Sequence, residues 1–181
     1  MYGMIHQALR DMALRHMEED DWNLLLRESG FTQPLFIGME YYSDATTMAL
    51  IRLVADRLDM PLNDALHEFG TVWIDFAGAS AYGRILRMAG NDFVSFLQNL
   101  DRMHASIRSN MPRAEMPSFE LLDADEDKML LRYVSTRVGL SPLVHGILLA
   151  VAERFGERVA ITWVPEDQGA MFTITRVEPH A

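Results

Sequence analysis

The chain has no cysteine among its 181 residues. That excludes disulfides, thiolate zinc sites, thiolate-held iron and any cysteine redox switch, and it is compatible with a reducing compartment. It has no apolar run of about 18 residues, so no membrane-spanning helix is expected. The N-terminus lacks the basic-then-apolar order of an export signal, and a cytoplasmic location is the expectation. Basic charge is in short supply: 16 Lys and Arg stand against 26 Asp and Glu, a net charge of −10. Phosphate backbones and anionic membranes attract basic surfaces, so neither nucleic acid nor membrane is expected as a partner. Gly-x-Ser-x-Gly, His-Glu-x-x-His and a phosphate-binding glycine loop are missing too, and no enzymatic activity is expected. Acidic runs such as 18–21 and 123–127 read as solvated faces.

The apolar fraction is 49%, enough for one large core. The first half has helical periodicity: Ile5, Leu9 and Met12, then Trp22, Leu25 and Leu26. Gly30 fits a helix end, with Pro34 shortly after. Ser43 and Asp44 can cap a helix carrying Met48, Ile51 and Val54. Pro61 opens another, with Leu62, Leu66, Phe69 and Trp73 on its buried side. A glycine-punctuated stretch from Gly78 to Gly90 precedes a helix from Asn91 or Asp92 to about Asn110, stopped by Pro112 and Pro117. The remainder predicts two strands around the polar turn at 123–127, a helix from Gly139 to Phe155 with Pro142 in its first turn, and a hairpin turning at Pro165 to Gly169. The fold class is α+β in a single domain over 1–181. A helical lobe (1–60) comes first, and residues 61–181 carry a helix-covered four-stranded antiparallel sheet.

Two features carry chemistry. Phe93, Leu97, Leu100, His104 and Ile107 fall on one helical face, so His104 sits where a core residue is expected. A buried histidine satisfied by hydrogen bonds and an iron ligand both fit that position. The second feature is Tyr133-Val-Ser-Thr-Arg137. In an extended segment Tyr133, Ser135 and Arg137 point to one side. They form an all-donor set with one fixed positive charge, suited to a pair of carboxylates. The solvent face of a sheet is the alternative. A ligand with two carboxylates that also needs a neutral imidazole is haem.

The chain resembles the H-NOX (haem-nitric oxide/oxygen binding) family, including the haem domain of the soluble guanylate cyclase β subunit and stand-alone bacterial relatives. Met1-Tyr-Gly-Met-Ile5, Phe96-Leu-Gln-Asn-Leu-Asp101 before His104, Pro117-Ser-Phe119, Tyr133-Val-Ser-Thr-Arg137, Tyr82-Gly83 and Gly139-Leu140 carry the resemblance. It implies haem b with His104 as the sole protein ligand of iron. Tyr133, Ser135 and Arg137 would hold the propionates, and Pro117 would press on the porphyrin. Ile5 and Leu9 would wall the distal side, with Leu100, Tyr2 and Trp73 also on the pocket. Trp73 and Tyr2 fit ordinary packing equally well.

Oxygen-binding members carry a distal tyrosine after this motif. Here the equivalent position is Leu143 or Pro142, and neither donates. With Leu143 and Ile147 facing the haem, His145 should point away. His6, His16, His67 and His180 read as surface or packing residues. The resemblance therefore implies a sensor of NO, with CO also bound and oxygen disfavoured. NO would release His104 and signal to a separate enzyme, a histidine kinase or a cyclic-dinucleotide enzyme. An oxygen-binding haem protein and an excised regulatory domain of a guanylate cyclase are the alternatives.

Overall fold

In the computed structural model, residues 1–33, 35–80, 83–111 and 113–177 are described. Expectations resting on Pro34, Tyr82, Pro112 and His180 lie outside them. Among the described residues, apolar periodicity produces α1 (Gly3–Ala13), α2 (Glu19–Glu28), α3 (Asp44–Arg57) and α4 (Leu62–Ala79). The ends follow local chemistry. Ser43 caps α3 by accepting from the Thr46 N–H, and α2 has Glu19, Asp20 and Asp21 in its first turn and Arg27 in its last, matching the helix dipole. Gly30, just past α2, takes φ +91°.

The glycine-rich stretch after α4 is more ordered than its sequence suggested, and contains the short α5 (Gly83–Met88). The single helix expected up to Asn110 is two: α6 (Phe93–Gln98) and α7 (Leu100–Asn110). Asp92 and Ser95 form a reciprocal capping box that starts α6. Asn99 interrupts the run at φ −97°, ψ 0°, its side-chain amide donating to the Ser95 carbonyl at 2.8 Å. The Asn99 backbone N–H is shared between the Ser95 and Phe96 carbonyls at 3.2 and 3.1 Å, a local tightening of the turn.

Four strands follow: β1 (Ser118–Ala124), β2 (Lys128–Val134), β3 (Val159–Glu166) and β4 (Gly169–Arg176), with α8 (Ser141–Arg154) between β2 and β3. They form an antiparallel sheet in the order β1-β2-β4-β3. The last hairpin turns more tightly than expected. Pro165 lies inside β3, opposite Ala170, and the edge position of β3 tolerates its missing N–H. Alternation buries Met129, Leu131 and Tyr133 of β2 and Ala170, Phe172 and Ile174 of β4 against Val144, Leu148 and Val151 of α8.

A second core joins α1, α2 and α3 to one side of α4 through Leu9, Met12, Trp22, Leu50, Val54, Leu66 and Phe69. His6 belongs to it and is fully buried. Its ring stacks on Phe36 at 4.3 Å, with Phe31 and Tyr42 edge-on. The Thr47 hydroxyl donates to the Ser43 carbonyl, so it accepts from His6 Nε2 at 2.8 Å. Nδ1 is left without a partner.

Helices α4 and α8 join the two halves. A Cβ on Gly70 would come within 2.2 Å of the Leu143 carbonyl oxygen, and one on Gly146 within 2.0 Å of the His67 carbonyl oxygen. Only glycine admits that approach. Gly146→Ala is expected to force the helices apart at a cost of about 3 kcal/mol, read as a fall of several degrees in Tm by circular dichroism. Burial, with the nearby N-terminal ammonium, lowers the His6 pKa to about 4 from an ordinary 6.5. The unfolded chain therefore takes up this proton first. The contribution is fully present above pH 6.5, falls between 6.5 and 4, and is flat below. Denaturant unfolding across that range should show the native protein losing about 3 kcal/mol more than His6→Gln.

Candidate functional site

Helix α7 is mostly exposed, and Leu100 is the one buried residue among its described ones. Its half-buried face, with Met103, His104 and Ile107, fronts a cavity of about 260 Å³ rather than a packed core. The opposite walls are Met4 and Ile5 from α1, Phe69, Trp73 and Ile74 from α4, and Leu143, Val144 and Ile147 from α8. Among the lining side chains of these three helices the Trp73 indole N–H is the one polar group.

His104 Nδ1 lies 3.1 Å from the carbonyl oxygen of Pro117. That oxygen can only accept, so Nδ1 carries the proton and Nε2 keeps its lone pair. Burial is the main cause lowering the His104 pKa, opposed by the Pro117 bond and the charge of Asp101. The imidazole is thus held neutral, with its ring orientation fixed. Asp101, three residues earlier on α7, accepts from the Phe119 N–H at 2.6 Å and from the Ser118 hydroxyl at 2.9 Å. The start of β1 therefore fastens α7 at three points within one turn. The Phe119 ring lies between His104 and Tyr133, at 5.6 and 5.3 Å.

Tyr133, Ser135 and Arg137 line the same cavity, but not as one extended strand. β2 ends at Val134, and Ser135 makes one further ladder bond, its N–H donating to the Gln168 carbonyl. The chain then turns towards Gly139, at φ +83°, and α8. Ser135 Oγ accepts from the Arg137 N–H at 3.1 Å, closing a local turn. Tyr133 is 2% exposed. Burial raises its pKa, against the Ser135 hydroxyl and the Arg137 charge, so the phenol stays a donor.

Two partners of Arg137 were missed in the sequence. Its Nε donates to Asp44 Oδ2 at 2.6 Å and one Nη to the Glu115 carbonyl at 2.5 Å. The other Nη has only a 3.8 Å approach to the Glu115 carboxylate. Asp44 also holds the Met1 ammonium at 2.5 Å. Burial alone would raise the Asp44 pKa, yet these two cations hold it below the usual value. Nothing in the spacing of Asp44 and Arg137, 93 residues apart, signalled the pair. Asp101 had a signal, its position one turn before His104.

Pro117, Leu100, Ile5, Tyr2, Trp73, Leu143 and Ile147 all line the cavity. Leu9 does not; it lies wholly within the N-terminal core. Of Leu143 and Pro142, it is Leu143 that faces the cavity. His145 points away, as its helical angle predicted, with Nε2 donating to the Ile161 carbonyl at 3.2 Å. His16 pairs with Glu68 at 2.6 Å.

Comparison with known proteins places this arrangement. A family model described as haem-NO-binding matches residues 2–163. The soluble guanylate cyclase gcy-35 of Caenorhabditis elegans is 27% identical over 98% of this chain and 28% of its own length. The guanylate cyclase soluble subunit beta-2 of Rattus norvegicus is 37% identical over 50% of this chain and 13% of its own. The chain spans about a quarter or less of the curated relatives it matches. Among solved structures, an H-NOX protein from S. oneidensis in the Fe(II)NO ligation state superposes with TM-score 0.88 at 21% identity, covering 98% of this chain and 100% of that one. An oxygen-binding H-NOX domain in its oxygen complex gives 0.80 at 19% identity, covering 99% and 96%. These two likenesses speak to the fold.

Asp101→Asn removes a negative charge that raises the His104 pKa. The imidazole should then titrate at a lower pH than in the native protein, read from ring ¹⁵N shifts of the ligand-free chain. In Asp101→Ala the freed Phe119 N–H should exchange with solvent about tenfold faster.

Proposed function

Because the chain belongs to the haem-NO-binding family, we propose that it is a sensor of NO built on haem b. His104 is the protein ligand, and Tyr133, Ser135 and Arg137 receive the two propionates. The observation that carries this reading is the neutral His104, its Nε2 lone pair free and its Nδ1–H held by Pro117, on a helix whose apolar face fronts a cavity. That donor set fits the cofactor. A flat apolar ring suits walls of Ile5, Leu100, Leu143 and Ile147, and carboxylates suit a phenol, a hydroxyl and a guanidinium. Bound there, haem would supply an iron that takes up a diatomic gas, with His104 Nε2 as the protein atom that would hold it.

The residues do the rest. The Pro117 carbonyl fixes the tautomer and direction of His104, as an acceptor on the far ring nitrogen does for a ligating imidazole. Apart from the Trp73 indole N–H, the wall of α1, α4 and α8 offers no donor to a polar oxygen ligand, which favours the less polar NO and CO. With Nε2 unbound, α7 would still be held to β1 through Asp101 and Pro117 and by nothing comparable on its cavity side. Its few buried side chains make a shift inexpensive. Arg137, tied to Asp44 of α3 and to the segment before β1, links that shift to the N-terminal lobe. The two lobes, 1–60 and 61–181, are then a two-state element that a signalling enzyme can read, a histidine kinase or a cyclic-dinucleotide enzyme. The chain itself carries out no turnover in this scheme.

Absorption spectra of the ferrous, haem-loaded protein provide the test. The spectrum should be unchanged by minutes in air, change within seconds on adding NO, and lose its imidazole-ligated features in His104→Ala. A stable change in air would replace NO sensing with oxygen binding, and a chain that takes up no haem would remove the reading altogether.

A further inference from the structure

Two histidines that the cavity does not use face each other across the seam between α4 and α8. The ring centres of His67 and His145 are 4.9 Å apart at an interplanar angle of 40°. Two imidazoles bound to one ion at ordinary Zn–N distances and near-tetrahedral angles place their ring centres about 5 Å apart. The Ile161 carbonyl accepts from His145 Nε2, so Nδ1 keeps its lone pair. A backbone carbonyl holding the far N–H is the usual outer support of a ligating histidine. The His67 side chain makes no hydrogen bond to the described residues, its contact being the His145 ring. Both rings are half-buried and reachable from solvent.

The backbones that carry the pair are held closely. The His67 carbonyl is the group that a Cβ on Gly146 would strike at 2.0 Å, so the glycine contact between the helices also sets the spacing of the two side chains. Trp163 flanks the His145 ring at 5.0 Å and limits its rotation.

We propose that His67 and His145 form a two-histidine site for a borderline-soft divalent cation, Zn²⁺ above all, that pins α4 to α8. Among the described residues no third His, Asp or Glu joins them. The remaining coordination positions go to water, and the ion exchanges. Imidazole donors without carboxylates exclude Mg²⁺ and Ca²⁺. The two helices carry Trp73 and Leu143 of the cavity wall, so occupancy stiffens that wall. The site stands independently of the haem reading.

Titration of the purified untagged chain with ZnCl₂, with MgCl₂ as control, tests this by histidine ring ¹⁵N shifts and calorimetry. One equivalent of Zn²⁺ should bind, shift His67 and His145 together and raise Tm. Binding should weaken at least tenfold in His67→Gln and in His145→Gln, and stay unchanged in His16→Gln. His67→Gln replaces a half-buried side chain that makes no hydrogen bond, and its melting curve reports that it folds. No Zn²⁺ binding, binding that survives His67→Gln in the folded protein, or an equal response to Mg²⁺ overturns the proposal.

Discussion

The contact between the backbones of α4 and α8 is the constraint from which the rest of the molecule takes its shape. Gly70 and Gly146 let the two helices meet at a distance no side chain allows. Because α4 packs on the N-terminal helices with one side and α8 on the sheet, this contact fixes one half of the protein against the other. Phe69, Trp73, Leu143 and Ile147 leave the same two helices towards the cavity, so its far wall is as rigid as the seam itself.

The near wall is of another kind. α7 is largely exposed, has Leu100 as the one buried residue among its described ones, and owes its position to polar bonds concentrated at the start of β1. Hydrogen bonds are directional but modest in net strength, whereas interlocked backbone is neither adjustable nor easily replaced. The cavity therefore has one rigid wall and one wall on a polar pivot. The break at Asn99 uncouples α7 from α6, whose Phe93, Phe96 and Leu97 stay in the core.

Arg137 shows how a local motif is completed by distant residues. Its neighbours Tyr133 and Ser135 come from the same five-residue stretch, yet Asp44 and Glu115 decide where the guanidinium points. The guanidinium is therefore pre-positioned at the cavity rim with one nitrogen left over, and it links that rim electrostatically to α3 and the N-terminus.

The sequence by itself determined the order of the main helices and strands apart from α5 and the break at Asn99, the alternation of β2 and β4, and the placement of His104 on an apolar face. These are properties of short-range periodicity and of turn and cap chemistry, which act within a few residues. The helical angle of His145 relative to Leu143 was legible for the same reason, and so was the choice of glycine to end α2. What only the tertiary structure decided involves residues far apart in the chain: the Asp44–Arg137 pair, the Pro117 carbonyl that sets the His104 tautomer, the orphaned nitrogen of His6, and the meeting of His67 with His145. Leu9 was misplaced because periodicity gives the buried side of a helix without saying which of two cores or a cavity that side meets. The break at Asn99 escaped notice because it is a tightening at one residue, and the apolar helical pattern continues unchanged on both sides of it.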